Sequence, residues 1–189
     1  MIVQLLTLFL ILHVSYTNGD CPNIISKSAW GGRGPKGINY LILPLPNVII
    51  HHTVTPECNT QSECSRRVQS IQSYHMDTLG WHDIGYNFLI GGDGNVYEGA
   101  GWTKEGAHTL GYNKNSLGIG FIGNFEDKNA SNKMVEAAHK LFRCGVSNGV
   151  LRDNIRAIAA RQVSSTLSPG YRLSKQMESW PEWIHGGTN

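Results

Sequence analysis

The sequence predicts a mixed α/β layer fold, a central mixed sheet with helices packed on it. Three observations carry this expectation: short apolar runs bounded by Pro and Gly, longer stretches with apolar residues at spacings of three and four, and the order in which they alternate. Val48-Ile49-Ile50 follows the turn-prone Pro44 and Pro46 and reads as a buried strand. In Glu63 to Leu79, the residues Val68, Ile71, His75 and Leu79 share one face of an amphipathic helix that stops at Gly80. Tyr86 to Ile90 and Asn95 to Glu98 flank Gly91-Gly92-Asp93-Gly94, whose glycines accept the positive φ of a hairpin turn. Leu117 to Phe125 is a further strand, with Gly118, Gly120 and Gly123 admitting close packing against it. Ser131 caps a helix reaching about Val146, with Val135, Ala138, Leu141, Phe142 and Val146 as its apolar stripe. Ile155 to Ala159 reads as a short strand, Pro169-Gly170 as a turn, and Leu173 to Trp180 as a final helix stopped by Pro181.

The first 19 residues are an apolar stretch without Asp, Glu, Lys or Arg, ending in small and polar residues, and read as a secretory signal peptide cut near Gly19. A membrane anchor fits less well, because Gln4, Thr7 and His13 interrupt the run and no basic residue flanks it. Residues 20–189 are then expected to form a single secreted, extracellular domain without a membrane anchor, long enough to bury its own core. Sixteen Lys and Arg against 14 Asp and Glu give a net charge of +2, scattered along the chain, which argues against nucleic acid or an anionic membrane as partner. Four cysteines in an exported chain point to two disulfides. Three connectivities are open; closeness in the chain favours Cys58 with Cys64, leaving Cys21 for Cys144. No C-x2-C pair suggests a four-cysteine zinc site. Asn129-Ala130-Ser131 is a sequon for glycosylation.

The strand around Val48-Ile49-Ile50 delivers His51-His52-Thr53 to its end, where side chains are free to face a cleft. A His pair alone carries little weight as a metal site. Read with Asp83-Ile84-Gly85-Tyr86-Asn87-Phe88-Leu89-Ile90, Gly94 to Trp102, Gly106-Ala107-His108-Thr109 and Leu117 to Phe125, in that order, the chain strongly resembles the peptidoglycan recognition protein family, relatives of N-acetylmuramoyl-L-alanine amidases. The resemblance spans about Cys21 to Trp183 and includes the Cys58 and Cys64 pair. It implies the type 2 amidase-like fold, a central mixed sheet with three main helices and a groove on one face.

In catalytic members the resemblance implies a zinc ion held by the first His of the His-His pair, by a His in a His-Arg-Gln-Val-like segment, and by a Cys before Pro-Gly, with a Tyr assisting. Three protein ligands leave a position for an activated water. His51 and Tyr86 are present, but Ala160 stands in Ala160-Arg161-Gln162-Val163 and Ser168 before Pro169-Gly170. A methyl cannot coordinate and a neutral hydroxyl is a poor zinc ligand, so neither amidase activity nor a metal or other cofactor is expected. The groove residues His51, His52, Thr53, Tyr86, Trp102, His108, Tyr112, Asn113 and Ser168 are expected to bind peptidoglycan or muramyl peptides; Tyr86 and Trp102 read equally well as core aromatics. Gly80-Trp81 points to diaminopimelate at the third stem position, whereas Ala100 replaces the arginine that would pair with its extra carboxylate, and this tips the expectation to lysine-type peptidoglycan, with dual recognition open. The resemblance is greatest to short, secreted, non-catalytic insect members that start Toll or prophenoloxidase cascades, implying recognition proteins and serine proteases as partners. Two other classes compete: an enzyme, either an amidase with rearranged ligands or a serine-dependent carboxypeptidase, and a structural module, which leaves the groove residues unexplained.

Overall fold

The structure is a computed structural model that describes residues 21–184; the expected leader at residues 1–19 lies outside the described residues. Among the described residues six strands form one mixed sheet in the order β1-β4-β3-β5-β2-β6: β1 Ile24–Ile25, β2 Leu45–His52, β3 Phe88–Ile90, β4 Val96–Glu98, β5 Ser116–Phe121 and β6 Leu151–Ala159. Only the β3 and β4 hairpin is antiparallel. At the centre, β2 lies parallel between β5 and β6 and is buried on both faces, which is why its middle, Val48-Ile49-Ile50, reads as an apolar run.

Helices cover both faces. On one, α2 Asn132–Ser147 and α3 Tyr171–Met177 bring Met134, Leu141, Phe142, Leu173 and Met177 onto Val48, Ile50, Phe88, Ile119 and Phe121. On the other, α1 Gln61–Ser73 buries Val68 and Ile71 with Trp30, Ile84, Leu89 and Tyr97. Thr60 caps α1 by accepting from the Glu63 N–H, and Ser131 caps α2 by accepting from the Met134 N–H. The disulfides are Cys58 to Cys64, tying the loop after β2 to the first turn of α1, and Cys21 to Cys144, tying the start of the described chain to α2. Asn129 is exposed just ahead of the α2 cap. No helix among the described residues is long and apolar enough to cross a membrane.

Several boundaries differ from the sequence expectation. The helix expected over 63–79 ends at Ser73 and continues as a wider π-type turn, Tyr74–Thr78, in which the Leu79 N–H donates to the Tyr74 carbonyl before Gly80 turns the chain at φ 71°. The strand expected to reach Phe125 stops at Phe121, shortly before Gly123 at φ 146°. β6 begins at Leu151, and its exposed Arg152, Asp153 and Asn154 fall where the register with β2 shifts between the Leu45 and Leu151 pair and the Asn47 and Arg156 pair, so they leave no alternation to read. The last helix spans Tyr171–Met177, with Trp180 packing beyond its end on Phe121 and Phe142. β1 is too short to read from the sequence.

One buried amide fastens the loop before the site to the sheet. Asn87 Nδ2 donates to the Gly101 and Lys104 carbonyls, both at 2.9 Å, and its Oδ1 accepts from the Gly118 N–H at 2.9 Å. Asn87→Ala leaves these groups unpaired and lowers stability by about 2–4 kcal/mol in urea unfolding; a loss below about 0.5 kcal/mol contradicts the assigned role.

Candidate ligand-binding groove

β2 and β5 pair in parallel with Ile49 opposite Gly118 and His51 opposite Gly120. Side chains alternate along a strand, so Val48 and Ile50 enter the core under α2 while Ile49 and His51 face the side that carries α1. There the middle of β5 presents two glycines. A Cβ on Gly118 would stand 2.2 Å from Cγ of His108, and one on Gly120 would stand 3.2 Å from the Tyr86 ring. The bare strand is the floor on which these rings lie, their centroids 5.7 Å (His108) and 5.5 Å (Tyr86) from that of His51.

Hydroxyls join the rings. Thr109 Oγ1 lies 3.0 Å from His51 Nε2 and 3.1 Å from His108 Nδ1; it has one proton to give, so at least one ring supplies the proton of its own contact. Ser168 Oγ accepts the His52 N–H at 3.1 Å and lies 3.4 Å from His51 Nδ1. His75, in the π-type turn, accepts the Gly85 N–H at Nδ1 and stacks on Trp81 at 4.6 Å. Burial is the main cause that holds the imidazoles neutral: His51 and His75 fall to about 4, and His108 to about 3 with the neighbouring His51 as a second cause. Burial likewise lowers His52, whose Nδ1 accepts the Phe125 N–H, and raises the Tyr86 hydroxyl to about 12.

These groups open into a cavity of about 560 Å³ lined by His51, His52 and Thr53 at the end of β2, by Arg67, Ser70, Ile71, Tyr74 and His75 of α1 and its π-type turn, and by Tyr86, Thr166, Leu167 and Ser168. A second cavity of about 390 Å³ is lined by Gly80, Trp81, Asp83, Glu105 and Asn113 among others. The Trp81 and His75 stack stands between the two cavities, since each ring lines one of them.

The structure thus brings His51, His52, Thr53, Tyr86 and Ser168 together, with His108 against His51, and sets Gly80, Trp81 and Asn113 in the adjoining cavity. Asn113 also holds the loop, its Oδ1 accepting the N–H groups of His108 and Thr109. Tyr112 packs on Ile49, Ile158 and Ala160. Two expected groove residues stand apart. Trp102 lies 4.4 Å from Phe88 and packs into the core under α2, on the opposite face of the sheet from His51, so the core-aromatic reading describes it. Ala100 is 4% exposed, donates its N–H to the Tyr86 carbonyl and lines neither cavity. The sequence reading missed Arg67, Tyr74 and His75. His75 was placed on the apolar stripe of a helix; an imidazole amid aliphatic positions was the available signal. Ala160 is fully buried with Ile49 and Ile158. Among the described residues no three His, Cys, Asp or Glu side chains converge to hold a metal.

The sheet and groove define an amidase-like domain: the family model described as N-acetylmuramoyl-L-alanine amidase matches residues 43–171. Within that class the chain is 47% identical over 176 residues to peptidoglycan-recognition protein 2 of Holotrichia diomphalia, covering 93% of this chain and 94% of the relative. The structure of bumblebee peptidoglycan recognition protein SA superposes with a TM-score of 0.86 at 63% identity, covering 88% of this chain and 99% of that one. That of peptidoglycan recognition protein-LE, in complex with tracheal cytotoxin, a monomeric diaminopimelic acid-type peptidoglycan, superposes at 0.84 with 41% identity, covering 85% and 95%. The chain belongs to the peptidoglycan recognition protein family, and its mixed sheet with three helices is the fold of that family.

Because folding lowers the pKa of His51, His75 and His108 below the ordinary 6.5, the unfolded chain binds protons first as pH falls. The stability these groups contribute is complete above about pH 6.5 and is lost as pH falls toward their folded values. Each adds a slope of up to about 1.4 kcal/mol per pH unit in that window. Urea unfolding at about pH 7 and about pH 4.5 measures it: the slope is positive and shrinks in His51→Gln, whereas a flat profile contradicts neutral burial.

Proposed function

We propose that this chain is a secreted receptor that binds bacterial peptidoglycan stem peptides in the groove beside His51 and starts an innate immune cascade of the Toll or prophenoloxidase kind, through other secreted recognition proteins and serine proteases, without amidase activity. The observation that carries the proposal is the pairing of a preserved, polar groove with an altered ligand set. Where the resemblance places a second zinc-binding histidine, Ala160 is sealed into an apolar cluster; where it places a cysteine, Ser168 offers a hydroxyl already engaged by the His52 N–H. One imidazole and one neutral hydroxyl do not fit a catalytic zinc ion. The aromatic and hydroxyl lining suits sugar rings and peptide groups. The solved relative holding tracheal cytotoxin supports a peptidoglycan fragment as ligand, and the paired cysteines support an extracellular setting.

Lysine-type peptidoglycan is the preferred ligand in this reading. Among the described residues no Lys or Arg lines the adjoining cavity to pair with the second carboxylate of diaminopimelate, and the carboxylates that do line it, Asp83 and Glu105, favour an ammonium over a further carboxylate. Asp83 is already paired with Lys27, which leaves Glu105 the larger part of that preference.

A second reading, serine-dependent cleavage, is favoured by one contact: Ser168 Oγ lies 3.4 Å from Nδ1 of His51, which burial keeps neutral and therefore free of a proton at one ring nitrogen, though also weakly basic. Incubation of the purified protein with lysine-type and diaminopimelate-type peptidoglycan, with and without zinc, separates the readings. Binding with no released stem peptide or D-alanine is expected. Released stem peptide that requires zinc contradicts the receptor reading in favour of an amidase; released D-alanine lost in Ser168→Ala establishes the serine reading. In parallel, Ala160→His with Ser168→Cys is expected to retain close to one zinc per chain after dialysis and the parent far less; equal zinc in both contradicts the assignment of these positions.

A further inference from the structure

Among the described residues that line the cavity beside His51, Arg67 carries the one permanent charge. The imidazoles there are held neutral by burial, and the other side-chain polar groups are all hydroxyls, those of Thr, Ser and Tyr residues. Arg67 stands one turn before Ile71 on α1, so both face the cavity. Its Nε is buried and has no hydrogen-bond partner. The acids of the surrounding elements are committed elsewhere: Glu63 accepts the Asn59 N–H, Asp77 pairs with Arg33, Glu57 pairs with Lys128, and Glu126 accepts the Tyr171 N–H. A guanidinium does not lose its proton at any pH the fold survives. A buried N–H donor left without an acceptor is costly to the free protein and is rewarded when a ligand supplies one.

The side of a guanidinium formed by Nε and one Nη presents two parallel N–H donors that match the two oxygens of a carboxylate. We propose that Arg67 reads a carboxylate of the bound stem peptide, so that carboxylate against carboxamide at that point of the ligand is a specificity determinant of the groove. The inference rests on the peptidoglycan-binding reading and adds to it a residue and a chemical distinction. Two carboxylates of a muramyl tripeptide carry this chemistry: the α-carboxylate of the γ-linked second residue and the terminal carboxylate of the third.

Calorimetry on the full mature protein with three muramyl tripeptides tests the inference: both carboxylates free, the second residue amidated, and the terminus amidated. For the parent protein, amidation at one of the two positions weakens binding roughly ten- to a hundredfold, and that position identifies the carboxylate Arg67 holds. Arg67→Gln weakens the free acid by a similar factor and becomes indifferent to amidation, while Arg67→Lys keeps part of the discrimination as a point charge. The parent protein binding all three ligands within about twofold overturns the role of Arg67 and leaves peptidoglycan binding standing. An Arg67→Gln protein that still discriminates overturns it as well. Failure of the parent to bind any of the three overturns the underlying reading instead. The ligand comparison uses the parent protein alone, so a variant that folds poorly does not blunt it.

Discussion

The free space above the middle of β5 is the constraint on which the groove depends. Two residues without side chains, Gly118 and Gly120, sit beside Ile49 and His51 of β2 and leave a floor of bare backbone on the α1 side of the sheet. His108 and Tyr86 lie on that floor so closely that a methyl group at Gly118 would overlap the His108 ring. Asn87 then fixes the level of the floor by holding the Gly118 N–H together with two carbonyls of the loop that leads to His108. The opposite face of the same strands is filled by ordinary aliphatic packing under α2 and α3, which gives the floor a rigid backing.

The rings assembled there are polar but uncharged. Burial lowers the pKa of His51, His75 and His108 well below neutrality, and the hydroxyls of Thr109 and Ser168 occupy the nitrogens of His51. In an amidase the same side of the sheet would need three donors converging on a metal; here the position of Ala160 is filled by Ile49, Ile158 and the ring of Tyr112. Buried polar groups are costly when left unpaired. In this chain Ser168 meets both the His52 N–H and the His51 ring, so the centre is closed by hydrogen bonds and the surrounding groove keeps its shape.

How much of this was legible depended on the physical signal each element leaves in sequence. The central strand β2 announced itself because burial on both faces demands an apolar run, and the caps Ser131 and Gly80 marked helix ends because their backbone roles select their residue types. The disulfide pairs followed from chain proximity and an exported context. The His51, Tyr86 and Ser168 positions were placed by the family resemblance, and the fold brings them into contact. Trp102 was not legible, because an aromatic at a strand end serves a groove or a core equally well and only the sheet decides which face it takes. Arg67 on α1, and Tyr74 and His75 on the π-type turn after it, escaped because they fall between the motifs, and because that turn leaves no pattern distinct from an α-helix.

The account stands or falls on whether the cluster around His51 is both neutral and the place where ligand binds. Nitrogen-15 chemical shifts of the histidine side chains, followed through a pH titration without and then with saturating muramyl tripeptide, report both properties at once. The account predicts that His51 and His108 remain neutral down to below about pH 5 in the free protein and that their ring signals move on addition of ligand. Titration near the ordinary value of about 6.5, or ring signals unmoved by a ligand shown to be bound, would contradict it.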